Sequence, residues 1–311
     1  MRKKEYNNFI PHHEHMPLVS FVSLTYNHAK FIEDTIAGAL SQDYPNLEII
    51  ISDDASPDGT YEVMKQYMRQ HPTGKNIILN RNEKNMGLVP HLNYVMQNLV
   101  HGDIIVLAGG DDISLSQRVS ETVKLFSDDK TIMMVTGQME RINARGEKIE
   151  QLPPIEDGVY HMDDTYIQSL TFMCGAPGMA IRREVWDTFG ALLSECPTED
   201  SILRFRALML GSIYVSPNVF IKYRIHENNI SRPGNILNLK TEGIVAQLKH
   251  DLQVASGKKL VSADMACRLY KKISLYEKYR EISAMKFGKP RLIRGFYKVL
   301  QRLIEKQISH I

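Results

Sequence analysis

An apolar run at residues 18–24 has the length of a buried strand, and Phe31, Ile32, Ile36, Ala39 and Leu40 behind it recur at helical spacing. The alternation returns down the chain. A strand is predicted at 47–52, then a helix through Tyr61, Met64, Tyr67 and Met68. A short strand at 76–79 precedes a helix over 88–99, and a strand at 103–108 precedes a helix running to Phe126. A fifth strand follows at 131–135. Ser114 and Gln117 have the spacing of a capping box at the start of the fourth helix. Strands alternating with helices of this length imply right-handed βαβ units, and near-continuous apolar strands fit a sheet buried on both faces. The fold class is α/β, with a mostly parallel central sheet flanked by helices.

After about residue 140 the alternation stops. An Ala-Arg-Gly turn within 141–149 predicts a hairpin, and 153–180 reads as loop, with Pro153, Pro154, Gly175, Pro177 and Gly178. A helix at about 198–210 and a strand at 219–225 follow, and from Leu237 to the end the signals are helical. Residues 271–311 hold 11 Lys and Arg against 3 Asp and Glu, so this tail is basic while the rest is net acidic.

At 311 residues the chain is long enough to bury a core without disulfides or a structural metal. Its net charge of +2 is too small for wrapping nucleic acid. Cys174, Cys196 and Cys267 are odd in number and none of them has zinc-ligand spacing, as expected of a protein in the reducing cytoplasm. The first residues are basic but lack the apolar stretch of a secretory signal, and no apolar run approaches membrane-spanning length. His12, His13, Glu14 and His15 resemble a metal cluster in composition. They precede the first strand in a Pro-flanked segment that reads as a flexible, solvated head over 1–16.

Open α/β sheets bind ligands beyond the carboxyl ends of their strands. Three polar clusters fall there: Thr25-Tyr26-Asn27 after the first strand, Asp53-Asp54 after the second, and Gly109-Gly110-Asp111-Asp112 after the fourth. Four carboxylates along one edge would repel one another without a cation or a set of hydrogen-bond donors. Carboxylate ligands suit Mg²⁺ or Mn²⁺. One such pair is explained by the preference of Asp for strand-to-helix turns; two in one sheet favour a function. No GxGxxG follows the first strand and no GxxxxGK[ST] occurs anywhere, which disfavours a dehydrogenase and a P-loop enzyme.

The stretch VSFVSLTYNHAKFIEDTIAGALSQDYPNLEIIISDDASPDGT resembles the opening of the family 2 glycosyltransferases with the GT-A fold. So do Asn85-x-Gly87, DIIVLAGGDD, CGAPGMAIRREVW, Glu199-Asp200 and YRIHENNIS, in the family's order across about 17–232. The resemblance implies a GT-A catalytic domain over 17–235, made of a Rossmann-like nucleotide-sugar-binding half (17–140) and an acceptor-binding half (141–235). A basic helical extension over 236–311 lies beyond it. Thr25, Asn27, Asn85, Gly87 and Gly110 then line the nucleotide-sugar pocket. Asp54 accepts a base N–H, commonly from uracil, with Asp53 beside it in a position to support the turn. Asp111 matches the metal-contacting acid of the DXD motif, with Asp112 and His226 as further metal ligands. Gly109 stands where the motif's first Asp usually sits, a departure that bears on the ribose contact. Asp200 matches the catalytic base, and Arg224, Glu199, Gly175 and Trp186 fall on the diphosphate and acceptor side.

Sugar transfer with inversion needs a carboxylate base for the acceptor hydroxyl and a cation for the departing diphosphate, Mn²⁺ or Mg²⁺. The implied enzyme uses a nucleotide-sugar donor, a UDP-sugar, and a glycan or lipid-linked acceptor in cell-surface polysaccharide synthesis. Two alternatives stay open. A nucleotidyltransferase would need a basic triphosphate loop where TYNHAKF supplies only Lys30, and a degenerate sugar-binding module is supported only by the replaced DXD aspartate. In the tail, Leu292, Ile293, Phe296, Tyr297, Leu300, Leu303, Ile304 and Ile308 recur at helical spacing between Arg291, Arg294, Lys298, Arg302 and Lys306. Such a helix serves equally to pack on the catalytic domain, to join a homo-oligomer, or to lie on the anionic inner face of the membrane.

Overall fold

The structure, a computed structural model, describes residues 16–151, 154, 156–162, 178–230, 241–286 and 298. The HHEH head, Gly175 and nearly all of the amphipathic tail lie outside the described residues.

The first half follows the predicted alternation: β1 (Val19–Thr25), α1 (Ile32–Leu40), β2 (Leu47–Asp53), α2 (Thr60–Gln70), β3 (Asn76–Arg81), α3 (Leu88–Asn98) and β4 (Ile104–Gly109). Next come β5 (Ile113–Ser114), α4 (Arg118–Asp128), β6 (Ile132–Asn143), β7 (Gly158–Tyr160), β8 (Met179–Arg182) and α5 (Arg183–Phe189). The chain continues with α6 (Asp200–Leu210), β9 (Ser212–Ile225), α7 (Thr241–Gly257) and α8 (Ala263–Lys286). Strand order is β3-β2-β1-β4-β8-β6-β9-β5, with β7 also on β9.

Strands β1 to β4 pair in parallel, as the pattern predicts. Beyond β4 the predicted fifth strand, β6, keeps the same direction but does not pair with β4 directly. The short β8 is inserted between β4 and β6, antiparallel to both, while β6 and β9 run parallel. Side-chain alternation sends Val22, Ile50 and Ile105 to one face, against α3, α5, α6 and α7. It sends Phe21, Ile49, Ile51 and Val106 to the other face, against α1, α2 and α4.

Two further expectations are corrected. Ser114 does not cap α4: it lies in β5, its Oγ accepts a hydrogen bond from Arg118 Nη1 (2.9 Å), and α4 has no side-chain cap. Trp186, expected on the acceptor side, is 5% exposed in the core between α5 and its neighbours. The hairpin within 141–149 is present, as a continuation of a β6 longer than its predicted first part, with Asn143 N–H bonded to Glu147 O and Ile149 N–H to Arg141 O. The core also runs across the expected boundary at 235. Val245, Leu248, Leu252 and Ala255 of α7 share it with α5 and α6, and the buried Arg206 of α6 pairs with Asp251 of α7 at 2.7 Å.

Candidate active site

The register of the sheet sets Thr25 beside Asp53 and Leu24 beside Gly109, so the polar ends of β1, β2 and β4 form one edge. The loop after β1 is fastened to the loop after β2 through its N–H groups. Asn27 donates to Ser56 Oγ (2.9 Å), His28 to Thr60 Oγ1 (3.0 Å) and Ala29 to Asp58 (3.0 Å). Asn27 takes a left-handed backbone (φ 59), which Asn tolerates better than most residues. Its buried side-chain Oδ1 has no hydrogen-bond partner among the described residues. Thr25 Oγ1 lies 3.2 Å from His28 Nδ1.

Asp53 is fully buried and serves the turn, accepting from the Ser56 N–H (3.0 Å) and the Ser56 hydroxyl; burial raises its pKa against these donors. Asp54 is also buried and holds the 82–87 turn. Its oxygens accept from Asn82 Nδ2 (2.7 Å), Met86 N–H (3.0 Å) and Gly87 N–H (2.9 Å). Asn85 Oδ1 accepts from the same Gly87 N–H (2.9 Å), and Gly87 needs its φ of 83 to bend there. A base N–H reaching Asp54 would join donors already in place.

The two acids after β4 point different ways. Asp112 turns inward. Its Oδ1 accepts the Arg224 N–H (2.8 Å), its buried Oδ2 has no partner, and burial with the neighbouring Asp111 charge pushes its pKa well above the carboxylate range. The structure therefore removes Asp112 from the expected metal ligands. Asp111 faces the edge. Its Oδ2 lies 2.8 Å from His226 Nε2, 3.3 Å from Asn229 Nδ2 and 3.9 Å from His28 Nε2. Burial works to raise the pKa of Asp111, but the His226 hydrogen bond and the two imidazoles hold it below the usual value. His28, Asp111 and His226 each offer one ligand atom, all within 4.8 Å of one another. Gly110 allows this closeness, since a Cβ there would sit 2.7 Å from His28 Nδ1 and nearer still to Thr25.

Arg224 is not a free diphosphate ligand. Its guanidinium is 1% exposed and donates to Asp111 O (2.9 Å), Ala144 O (3.2 Å) and the Asp34 carboxylate (2.7 Å), with Phe31 beneath it. It fixes the Asp111 backbone instead. Asp200 opens α6, where its Oδ1 accepts the Ser201 N–H (2.7 Å) and its Oδ2 stands 4.0 Å from Arg204. Glu199 beside it has a pKa raised to about 7 by burial and by the Asp200 charge. Among the described residues no hydrogen bond or ion pair joins this acidic pair to His28, Asp111 or His226.

Sequence reasoning passed over His28, Asp34 and Asn229. For His28 the signal was available: it lies three residues past Thr25 at a strand end, within turn reach of it.

A cation fits this donor set. A carboxylate oxygen shared by two imidazoles, together with an unpartnered buried Asn27 oxygen close by in the chain, suits a divalent ion carrying waters. The model of Glycosyl transferase family 2 matches residues 20–189. The protein described as glycosyltransferase EpsE from Bacillus subtilis is 33% identical over 144 residues, 45% of this chain and 50% of that one. An uncharacterized glycosyltransferase of Rickettsia felis is 26% identical over 243 residues, 76% of this chain and 39% of that one. The chain thus spans half or less of the length of these relatives. Staphylococcus aureus TarS (residues 1–349) superposes with a TM-score of 0.60 at 15% identity, over 94% of this chain and 81% of that one. The mannosyltransferase PcManGT from Pyrobaculum calidifontis, in complex with GDP-Man and Mn²⁺, gives 0.55 at 16% identity over 95% and 86%. At these identities the solved structures establish the fold, a GT-A fold.

Proposed function

The chain belongs to glycosyl transferase family 2, and we propose that it transfers a sugar, with inversion, from a UDP-sugar to a glycan or lipid-linked acceptor of cell-surface polysaccharide, using Mn²⁺ or Mg²⁺. The observation that carries this reading is the Asp111–His226 contact of 2.8 Å at the carboxyl edge of the sheet, where an open α/β fold binds its ligand. The donor class is supported by TarS, solved in complex with UDP and with UDP-GlcNAc. The acceptor class is supported by TuaG of Bacillus subtilis, described as a glycosyltransferase of teichuronic acid biosynthesis and 28% identical over 121 residues.

In the proposed reaction the acceptor oxygen forms a bond to the anomeric carbon as the bond from that carbon to the diphosphate breaks. The electron pair leaves with the diphosphate and the hydroxyl proton passes to Asp200. Asp111 and His226 would hold the cation, which supplies charge neutralisation for the departing diphosphate. Thr25, Asn27, Gly110 and the Asn85–Gly87 turn shape the nucleotide pocket, and Arg224 keeps the Asp111 backbone in place.

Incubation with radiolabelled UDP-sugars and Mn²⁺ should release free sugar slowly by hydrolysis, and chelator should abolish it. Asp111→Asn should lose UDP binding in titration calorimetry, because a neutral amide is a poor ligand for a hard cation. Full nucleotide affinity in EDTA would overturn the cation-centred reading. Release of pyrophosphate from a nucleoside triphosphate would identify a nucleotidyltransferase, and tight donor binding without hydrolysis a binding module.

A further inference from the structure

We infer that His28 is a third protein ligand of the cation, beside Asp111 and His226, and that its imidazole biases the centre towards Mn²⁺ over Mg²⁺. The inference rests on the metal-centred reading above and deepens it.

The geometry comes first. His28 Nε2 stands 3.9 Å from Asp111 Oδ2, and the three ligand atoms lie within 4.8 Å of one another. With ligands at roughly 2.1 Å from a small divalent ion, two ligands of one ion are at most about 4.2 Å apart. The group therefore needs only a few tenths of an ångström of closure. The two imidazoles stand edge-on, 84° apart with centroids 6.1 Å from each other, and the Nε2 atoms of both lie nearest the same oxygen, Asp111 Oδ2.

Second, the His28 ring is aimed from behind. Its Nδ1 meets Thr25 Oγ1 at 3.2 Å, and an Nδ1–H donated there leaves the Nε2 lone pair facing Asp111. A hydrogen bond on the far nitrogen is the usual way a ligating imidazole is oriented. The backbone is anchored as well, with the His28 N–H on Thr60 Oγ1. The flush approach of Gly110 leaves no room for a side chain between the Asp111 segment and this ring. His226 is less committed: its Nδ1 accepts only a long hydrogen bond from Asn228 (3.3 Å), which it would give up on ligating through Nε2.

Third, the donor set has changed from the one its acidic sequence implied. With Asp112 turned to the Arg224 N–H, the protein offers two nitrogens and one carboxylate. Mg²⁺ prefers oxygen ligands and holds its waters; imidazole favours the transition metals, among which Mn²⁺ also accepts carboxylate and water.

The test uses the full-length protein with Mn²⁺ as the probe, alone and with UDP. Loss of the free Mn²⁺ resonance signal on titration gives the affinity, and pulsed electron resonance counts the nitrogens coupled to the bound ion. The wild type should show two imidazole nitrogens, and His28→Ala one, with Mn²⁺ affinity about 10-fold or more weaker and the preference over Mg²⁺ reduced. His28→Asn, which can still bond Thr25, should behave as His28→Ala does, so that a folding defect in one variant leaves the other to decide. Two nitrogens and unchanged affinity in either folded variant would overturn the inference. A wild-type signal with one nitrogen would remove His28 while keeping the cation at Asp111 and His226. No Mn²⁺ binding by the wild type, even with UDP, would overturn the cation-centred reading itself.

Discussion

Asp200 carries its own test because its two possible duties separate cleanly. An acid at the first residue of α6 meets the positive end of the helix dipole, and its Oδ1 takes the Ser201 N–H. Asn in its place keeps the size and the oxygen acceptor, so Asp200→Asn should melt within a degree or two of the wild type and bind UDP normally. Turnover should fall by about 10²–10⁴-fold, the usual worth of a positioned base. Glu199→Gln should cost less, even though burial has raised Glu199 to about 7, a value suited to proton transfer. Wild-type turnover of Asp200→Asn with a verified substrate pair would transfer the role to Glu199. At this scale the chain was legible wherever a residue's partner lay close in sequence or the residue sat in a recurring motif, as with Asp53 and Ser56. It was not legible where the partner was remote. Asp34 meets Arg224 across 190 positions, and nothing local says that the guanidinium is consumed there. The inward turn of Asp112 likewise depends on the Arg224 N–H, 112 residues away.

Elements divide in the same way. Strands β1, β2 and β4 are buried on both faces and read as continuous apolar runs. The four-residue β8 exists because β4 and β6 flank it, and no local pattern in its Gly- and Pro-rich surroundings distinguishes it. The first half of β9 was hidden by Pro217, which sits where the β6–β9 register shifts between the Thr136–Val215 and Gln138–Val219 pairs. In α8, Lys272 follows the apolar spacing of Leu269 and Ile273 into the interior, where its ammonium has no partner among the described residues and burial lowers its pKa to about 8. The sign is worked from proton counts. Below about pH 8 both states hold the proton and the folded state bears the full cost; between about 8 and 10.5 the unfolded state binds more protons, so stability rises with pH. Lys272→Met should therefore raise the melting temperature at pH 7 by several degrees. The gap to wild type should shrink as pH climbs through that window in calorimetric scans. A constant gap would mean that the gain comes from packing alone.

At the scale of the whole molecule, α7 and α8 contribute Val245, Leu248, Leu252, Leu269 and Ile273 to the same hydrophobic cluster as α5 and α6, so a prediction specific to the tail concerns the residues after Lys286. Among the described residues no helix is long and apolar enough to cross a membrane. The lipid-linked acceptor proposed above would place the substrate at a bilayer surface. In sequence, Leu292, Phe296, Leu300 and Leu303 are spaced among Arg291, Arg294, Lys298 and Arg302 as a basic amphipathic helix would space them, and the prediction is attachment to such a surface. Each basic residue near an anionic surface contributes about 1 kcal/mol, and this attraction weakens as salt shortens the screening length. Vesicles rich in anionic lipid should co-sediment the full chain, and raising the salt from about 0.1 M, where the screening length is about 10 Å, to about 0.5 M should release much of it. A chain ending at residue 286, which keeps every described strand and helix from Val19 to Lys286, should stay in the supernatant, with retention of its fold checked by circular dichroism. Equal recovery of both chains in the supernatant would exclude surface attachment. The stripe would then have to cover protein, and comparing the two chains by light scattering would distinguish a second subunit, as a halved mass, from the catalytic domain itself.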